Sequence, residues 1–307
     1  MKRLAMMIIG ACLLAAACGI NSAGSLGKAP TGAPSPAVSA SPPGATPTAT
    51  AQPPGGQPPA TPIATPTQSH VREIGLQAWF TRNGKLFVTA RTVQATRGVG
   101  QAAIDSVLAG PSAAESSAGL SSQIPAGTTL LGVSISSGTA TVDLSSSFTS
   151  AAGPSTMPLR IAQVVYTLTQ FPTVTGVRFA INGQGVTVIG GVPVQAPQTR
   201  TMYASYLPAI TVQAPFIGEQ VTSPVTVSGA ADVFEAVVSV RVLDSAGNEI
   251  TRTFTNATCG TGCRGDYSVT ISYTVPRTEP GTIEVFERSA KTGLPINVQL
   301  IPVTLAA

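Results

Sequence analysis

The sequence predicts two folded parts in series: an α+β part with its helices on one face of a sheet, then an all-β sandwich. Three observations predict this. From residue 74 to 181 the chain alternates strand and helix patterns in the order strand, strand, helix, strand, strand, helix, strand. Beyond residue 209, about seven short alternating segments separated by turn signals fill about 100 residues. The 307 residues are only 10% charged and include 31 glycines, and the patterned stretches are rich in Val, Ile and Thr, which suit a pleated surface better than a helix.

The chain opens on an export pattern. Lys2 and Arg3 precede an apolar run from Leu4 to Leu14 and three small residues, Ala15 to Ala17. The run is shorter than the roughly 20 residues that span a bilayer, so it reads as an address and not a domain. Cys18 follows at once, then Gly19, and this arrangement resembles the lipobox of bacterial lipoproteins, although Ala15 stands where the usual Leu would be. The resemblance implies cleavage before Cys18 and its lipidation with acyl chains of the palmitate kind. Each buried CH2 then contributes roughly 0.8 kcal/mol to membrane anchoring. The expected address is the extracytoplasmic face of the cell membrane.

Residues 19–70 are dominated by Pro, Ala, Thr, Gly and Ser, with Lys28 the only charge between Asn21 and Ser69. Such a composition buries too little apolar surface to offset the entropy of ordering, so a disordered, PPII-biased linker is expected. Its Pro-Thr and Ala-Thr pairs are candidate acceptors for O-glycans.

Residues 71–194 form the first folded part. Ile74 to Thr81 alternates as a strand, Asn83-Gly84 supplies a hairpin turn, and Lys85 to Val93 returns. Gln101 to Ala109 places Ala103, Ile104, Val107 and Leu108 on one helical face, and Gly110-Pro111 stops it. After a Ser/Gly/Ala loop, Thr128 to Ser136 and Thr139 to Leu144 pair around Ser137-Gly138. Asp143 lies on the polar face of the second strand, where a lone carboxylate usually meets water or caps a turn. Ser145 to Ser147 and Ser155 are N-cap suppliers for a helix carrying Ile161, Val164, Val165, Leu168 and Phe171 as its apolar stripe. Arg160, Gln163 and Thr167 fall outside that stripe, so they are expected outward, as a candidate contact surface. Pro172 ends the helix, and Gly176 to Ile181 forms the last strand before Asn182-Gly183.

LAGP at Leu108 to Pro111, SSQIPAGTTLLGV at Ser121 to Val133, ATVDLSSSF at Ala140 to Phe148 and RIAQVVYTLTQFPTV at Arg160 to Val174 resemble the GerMN domain of sporulation and spore germination proteins. The resemblance covers residues 74–188. It implies a module similar to the ring-building units of envelope-spanning complexes, which act by packing side by side, and it carries over no catalytic residue.

Residues 195–208 read as a Pro- and Gln-containing connector, and residues 209–307 as the sandwich. Strands are expected at 210–212, 225–228, 236–243, 249–256, 267–273, 282–286 and 296–305, an antiparallel immunoglobulin-like arrangement. SPVTVSGAADVFEAVVSVRVLDSAGN at Ser223 to Asn248, ATCGTGC at Ala257 to Cys263 and IEVFERSAKTG at Ile283 to Gly293 resemble the immunoglobulin-like domain of bacterial spore germination proteins. That implies a binding or spacing module.

Cys259 and Cys263 remain once Cys12 is removed and Cys18 is acylated. In an exported chain they read as a local disulfide; a redox pair would show two intervening residues, and zinc would need two more ligands. Arg264-Gly265-Asp266 spells an adhesion tripeptide, best taken as chance in a turn. Trp79, Tyr203 and Tyr206 are either recognition surface or buried bridging aromatics.

The charges exclude several classes. There are 17 basic and 13 acidic residues, and loss of Lys2 and Arg3 leaves 15 against 13, a net of +2. The basic residues are scattered, without the tracks that hold phosphates, so nucleic acid is not an expected partner. The one histidine, His70, sits at the linker's end, which argues against a Ser-His-Asp site or a His-based metal centre. No Gly-rich phosphate loop or paired carboxylate motif occurs. The reading is a non-enzymatic, lipid-anchored envelope protein without cofactor or metal. Its expected partners are the membrane, through the lipid, and envelope proteins or further copies of itself, with the cell wall within reach. The alternative is a module that binds a small molecule or a cell-wall glycan.

Overall fold

The computed structural model describes residues 72–150, 153 and 155–307. The export segment, Cys18, the Pro-rich stretch and His70 lie outside the described residues. The described residues belong to one compact unit.

Strands β1 (Glu73–Arg82) and β2 (Lys85–Gln94) form the predicted hairpin, Arg82 opposite Lys85. Asn83 and Gly84 both take positive φ, 52° and 73°, the geometry a two-residue turn requires if the strands are to keep their right-handed twist. Helix α1 (Val99–Leu108) buries Ala103, Ile104 and Val107, and Gly110 in the left-handed region ends the turn after it. A further helix, α2 (Ala113–Ser117), stands where a loop was expected. It is short but closed by a capping box: Ser112 Oγ accepts from Glu115 N, and the Glu115 carboxylate accepts from Ser112 N.

Strands β3 (Leu130–Ser136) and β4 (Thr139–Leu144) are antiparallel, and β5 (Gly176–Ile181) runs parallel to β4 after a crossover through α3 (Met157–Leu168). The two-residue strand β6 (Gln184–Gly185) completes the order β3-β4-β5-β6, and β7 (Val188–Ile189) with β8 (Val192–Pro193) forms a small separate ladder. The serines predicted to cap α3 do not. Thr156 is its N-cap residue without a side-chain bond, Pro158 lies in the first turn, and Ser145 Oγ instead accepts from Thr129 N. Proline stiffens that turn and needs no cap for its missing N–H.

The exposed face expected on α3 is absent. Eleven of its twelve residues are buried, Arg160 at 3%, Gln163 at 0% and Thr167 at 0% exposure among them. The correction has a physical cause in the strand beside it. Viewed along β1, residues Gln77, Trp79 and Thr81 turn their backbone groups away from β2, and α3 with the turn just after it supplies side-chain partners for the first two. Gln170 accepts from Gln77 N and donates to Gln77 O, both at 2.8 Å; Thr167 Oγ1 accepts from Trp79 N at 3.3 Å; Gln163 Nε2 donates to Trp79 O at 2.9 Å. Thr81 finishes the edge through a two-bond bridge to Ser121. A polar stripe at helical spacing thus seals a strand edge that would otherwise be left unpaired.

A 3₁₀ turn (Arg200–Tyr206) lies in the connector. Beyond it come β9 (Ile210–Ala214), β10 (Gln220–Val221), β11 (Val225–Ala231), β12 (Val237–Leu243), β13 (Glu249–Asn256), β14 (Gly265–Ile271), β15 (Glu279–Arg288) and β16 (Pro295–Leu305). They stack as a three-stranded sheet, β14-β11-β9, on a five-stranded sheet, β10-β16-β15-β12-β13. Val227, Val238, Val240, Val242, Ile283, Val285 and Leu305 are buried between them. All seven predicted strands are present. The addition is β10, which runs parallel to the end of β16.

Candidate functional site

The residues singled out in the sequence fall into three places. Arg160, Gln163 and Thr167 belong to the interior. The Arg160 guanidinium donates to the carbonyls of Gln123 (2.7 Å), Phe148 (2.6 Å) and Ser150 (2.8 Å), and burial lowers its pKa. Gln163 Oε1 accepts from Gln123 N at 2.7 Å. Asp143 caps a turn by accepting from Gly183 N at 3.0 Å.

A second group gathers at the joint between the two folded parts. Trp79 and Tyr203 are buried, and Tyr206 is half-buried against Tyr203. Arg200 lies over the rings of Tyr166 (4.8 Å) and Trp79 (5.6 Å) and donates to Tyr166 O and Thr169 Oγ1, closing the C-terminal end of α3. Tyr203 donates to Gln198 Oε1 at 2.6 Å, and burial, then the neighbouring Tyr206, push its pKa up to about 12. Arg264 of the adhesion-like tripeptide donates to the carbonyls of Pro208, Ala209 and Ala230. It is a strut at the start of β14, and Gly265 packs too closely on Cys259 to admit a side chain.

Across the joint, Arg82 from the first hairpin donates to Leu300 O at 3.0 Å and Gln299 Oε1 at 2.8 Å while covering the Phe87 ring at 4.1 Å, and Lys85 donates to Ser205 O at 2.8 Å. Beside Arg82 is an open cleft of about 380 Å³ walled by Val298, Leu300 and Pro302 on one side and Ser117 to Gly119 on the other.

Cys259 and Cys263 form a disulfide in the turn between β13 and β14. No three His, Cys, Asp or Glu side chains among the described residues lie close enough to hold a metal ion.

Comparison with known proteins assigns both parts. Residues 79–187 match the family model described as sporulation and spore germination, and residues 209–294 match the model of the immunoglobulin-like domain of bacterial spore germination. The chain pairs a GerMN-type domain with a germination-type immunoglobulin-like domain. Neither is known as an enzyme family. Among solved structures, the first GerMN domain of the sporulation protein GerM from Bacillus subtilis aligns at 25% identity over 42% of this chain and 98% of that one, TM-score 0.37. A putative lipoprotein from Clostridium perfringens aligns at 22% identity over 42% and 89%, TM-score 0.32. The tandem GerMN domains of the same Bacillus subtilis GerM align at 16% identity over 76% of this chain and 61% of that one, TM-score 0.38. At these scores the alignments carry no argument, and the assignment rests on the two family models. A search of the curated proteins finds no match to the chain.

The immunoglobulin-like domain has exposed apolar groups that its sandwich does not use. Phe254 on β13 is 68% exposed and Phe234 49%. Phe254, Val237 and Ser239 line a shallow, mostly apolar depression of about 350 Å³ on the outer face of the five-stranded sheet, flanked by Arg252 and Arg288. Its components come from three strands, β12, β13 and β15. Sequence reasoning missed it because a lone exposed Phe in a Thr-rich strand has no periodic signature; the alternation T-R-T-F-T at Thr251 to Thr255 was the available signal.

Proposed function

We propose that the protein is a non-enzymatic, lipid-anchored component of the cell envelope that acts through protein–protein contacts, with Cys18 as the acylated residue on the extracytoplasmic face of the membrane and residues 19–70 as the tether. The carrying observation is the joint. The GerMN-type domain is fastened to the immunoglobulin-like domain by the Arg82 bonds to Leu300 and Gln299 and to the connector by the Lys85 bond to Ser205, so that both outer surfaces are offered in a fixed relation. Contacts between cationic side chains and carbonyls hold position without an acidic partner, and a fixed pair of surfaces serves assembly better than it serves a turnover cycle. The lipobox-like leader supports the anchor.

Crosslinking in native membranes followed by mass spectrometry tests the contact reading. A reproducible envelope partner, or a second copy, is expected; recovery of the isolated chain alone under conditions that capture known complexes refutes it. Cys18→Ala should release the protein from the membrane fraction. The second reading, binding of a small molecule or cell-wall glycan, draws on the cleft beside Arg82, because domain interfaces are common ligand sites. Retention on purified peptidoglycan, lost in Arg82→Ala, would favour it.

A further inference from the structure

One end of the sandwich carries a projecting tip beside a receiving surface, and their chemistries match. The tip is the turn Asp232 to Ala236. Glu235 and Ala236 both have positive φ, 54° and 59°, as does Thr261 opposite them at 54°. L-residues rarely adopt this region unless the surroundings enforce it. Here the disulfide loop does so. Thr261 N donates to Val233 O at 2.9 Å, Glu235 N donates to Thr261 Oγ1 at 3.0 Å, Gly262 N donates to Asp232 Oδ1 at 2.8 Å, and Ala257 N donates to Ala236 O at 2.8 Å. Gly260 packs directly on Ala236, with no space for a side chain. From the other side Phe234 N donates to Glu287 Oε1 at 3.0 Å. The backbone of the tip is therefore pinned throughout, yet the Phe234 ring stands in solvent, and the neighbouring Glu235 carboxylate enters no ion pair among the described residues. A rigid exposed aromatic beside a free carboxylate is an anchor that loses little conformational entropy on docking.

The receiving surface begins at Val237, directly after the tip in the chain. It is the depression over Ser239, with Phe254 as its wall and Arg252 and Arg288 at its rim. Among the described residues Arg288 donates only to Gly293 O, and Arg252 shares Glu249 with Arg241. At about 350 Å³ it has room for a phenyl ring together with its neighbouring side chain, and its charge is opposite to that of the tip.

We propose that the protein self-associates through this end of the immunoglobulin-like domain, Phe234 and Glu235 of one copy entering the depression between Arg252 and Arg288 of a second copy, and reciprocally. Because tip and depression adjoin on one surface, a two-fold axis between them satisfies both at once and closes the assembly as a dimer. This deepens the assembly reading by naming the partner, and it rests on that reading only for its biological setting.

Sedimentation velocity on the purified full chain, across a concentration series, tests it. A dimer is expected. Phe234→Ala should raise the dimer dissociation constant by at least about tenfold, as truncation of an aromatic anchor does. Glu235→Arg and Arg288→Glu should each weaken association by a similar factor, while the double variant recovers to within about threefold of the parent. Unchanged melting and an intact disulfide in each variant establish that the fold is retained. A monomer at every concentration, an open polymer, an association indifferent to Phe234→Ala, or a double variant no better than its singles overturns the inference. If crosslinking in membranes then still recovers another envelope protein, the contact reading stands and only self-association fails.

Discussion

Replacing Gln163 by Leu separates a buried edge seal from an exposed contact face with one measurement. The substitution keeps the side chain's bulk and removes its amide. In the structure that amide holds Trp79 O and Gln123 N at 2.9 and 2.7 Å, in a position with 0% exposure. Each abandoned backbone group costs about 1 to 3 kcal/mol of desolvation without a partner. Gln123 N lies in a partly buried segment, so the sum is set at about 3 kcal/mol. A solvent-facing glutamine would change stability by no more than about 0.5 kcal/mol. The chain has one tryptophan, Trp79, and it is only 2% exposed, so its fluorescence in a urea titration reports the affected domain directly. With a slope near 1.5 kcal/mol/M the midpoint should fall by about 2 M. Gln101→Leu, on the exposed face of α1, serves as the control. Equal midpoints for the two variants would refute the account of α3.

Three further outcomes follow from the same packing. Glu115 is 4% exposed and accepts from Arg91 at 2.7 and 2.6 Å. Burial alone would raise its pKa, but the Arg91 bonds and the Ser112 amide leave it lowered. Its contribution is therefore complete above the ordinary carboxylate range and is lost as the pH falls through the lowered value. Glu115→Gln should cost about 2 to 3 kcal/mol at pH 7, and the gap from the parent should narrow progressively as the pH falls below the ordinary carboxylate range, in acid titrations followed by circular dichroism. Removing the disulfide by Cys259→Ser with Cys263→Ser should destabilise by about 2 kcal/mol, given the short loop. It should also speed amide exchange in the Asp232 to Ala236 turn; unchanged exchange would contradict the bracing described. Gly229→Ala would place a methyl group on the Thr211 carbonyl and against Tyr267 Oη. It should cost more than about 3 kcal/mol by prising β9 from β11, with soluble yield and melting as the readouts.

The strands were legible because their signals are local. Asn83-Gly84, Ser137-Gly138 and Asn182-Gly183 fix turns through positive φ, and alternating valines mark the sandwich interior. The helix α2 was legible in principle, since Ser112 and Glu115 stand at capping-box spacing. The orientation of α3 was not. Helical periodicity separates apolar from polar faces but carries no record of what meets the polar one, and here the partner is strand backbone more than 80 residues away in sequence. The same limit applies to Arg160 and Arg264, whose acceptors are carbonyls, a group every residue provides. The proposed docking end of the sandwich joins the turn Asp232 to Ala236 to side chains of β12, β13 and β15, which only the folded sheet brings together.

The edge seal also sets an order on the making of the protein. The β1–β2 hairpin is among the earliest structures the chain can form, but the side chains that complete it arrive late: Gln77 waits for Gln170, 93 residues downstream. At about 5 to 20 residues per second of synthesis, that interval lasts about 5 to 20 s. For that time a strand carrying Trp79 and Phe80 presents an open row of amides and carbonyls. An emerging chain of this kind has reason to be kept from folding, or from meeting its neighbours, until the helix has followed.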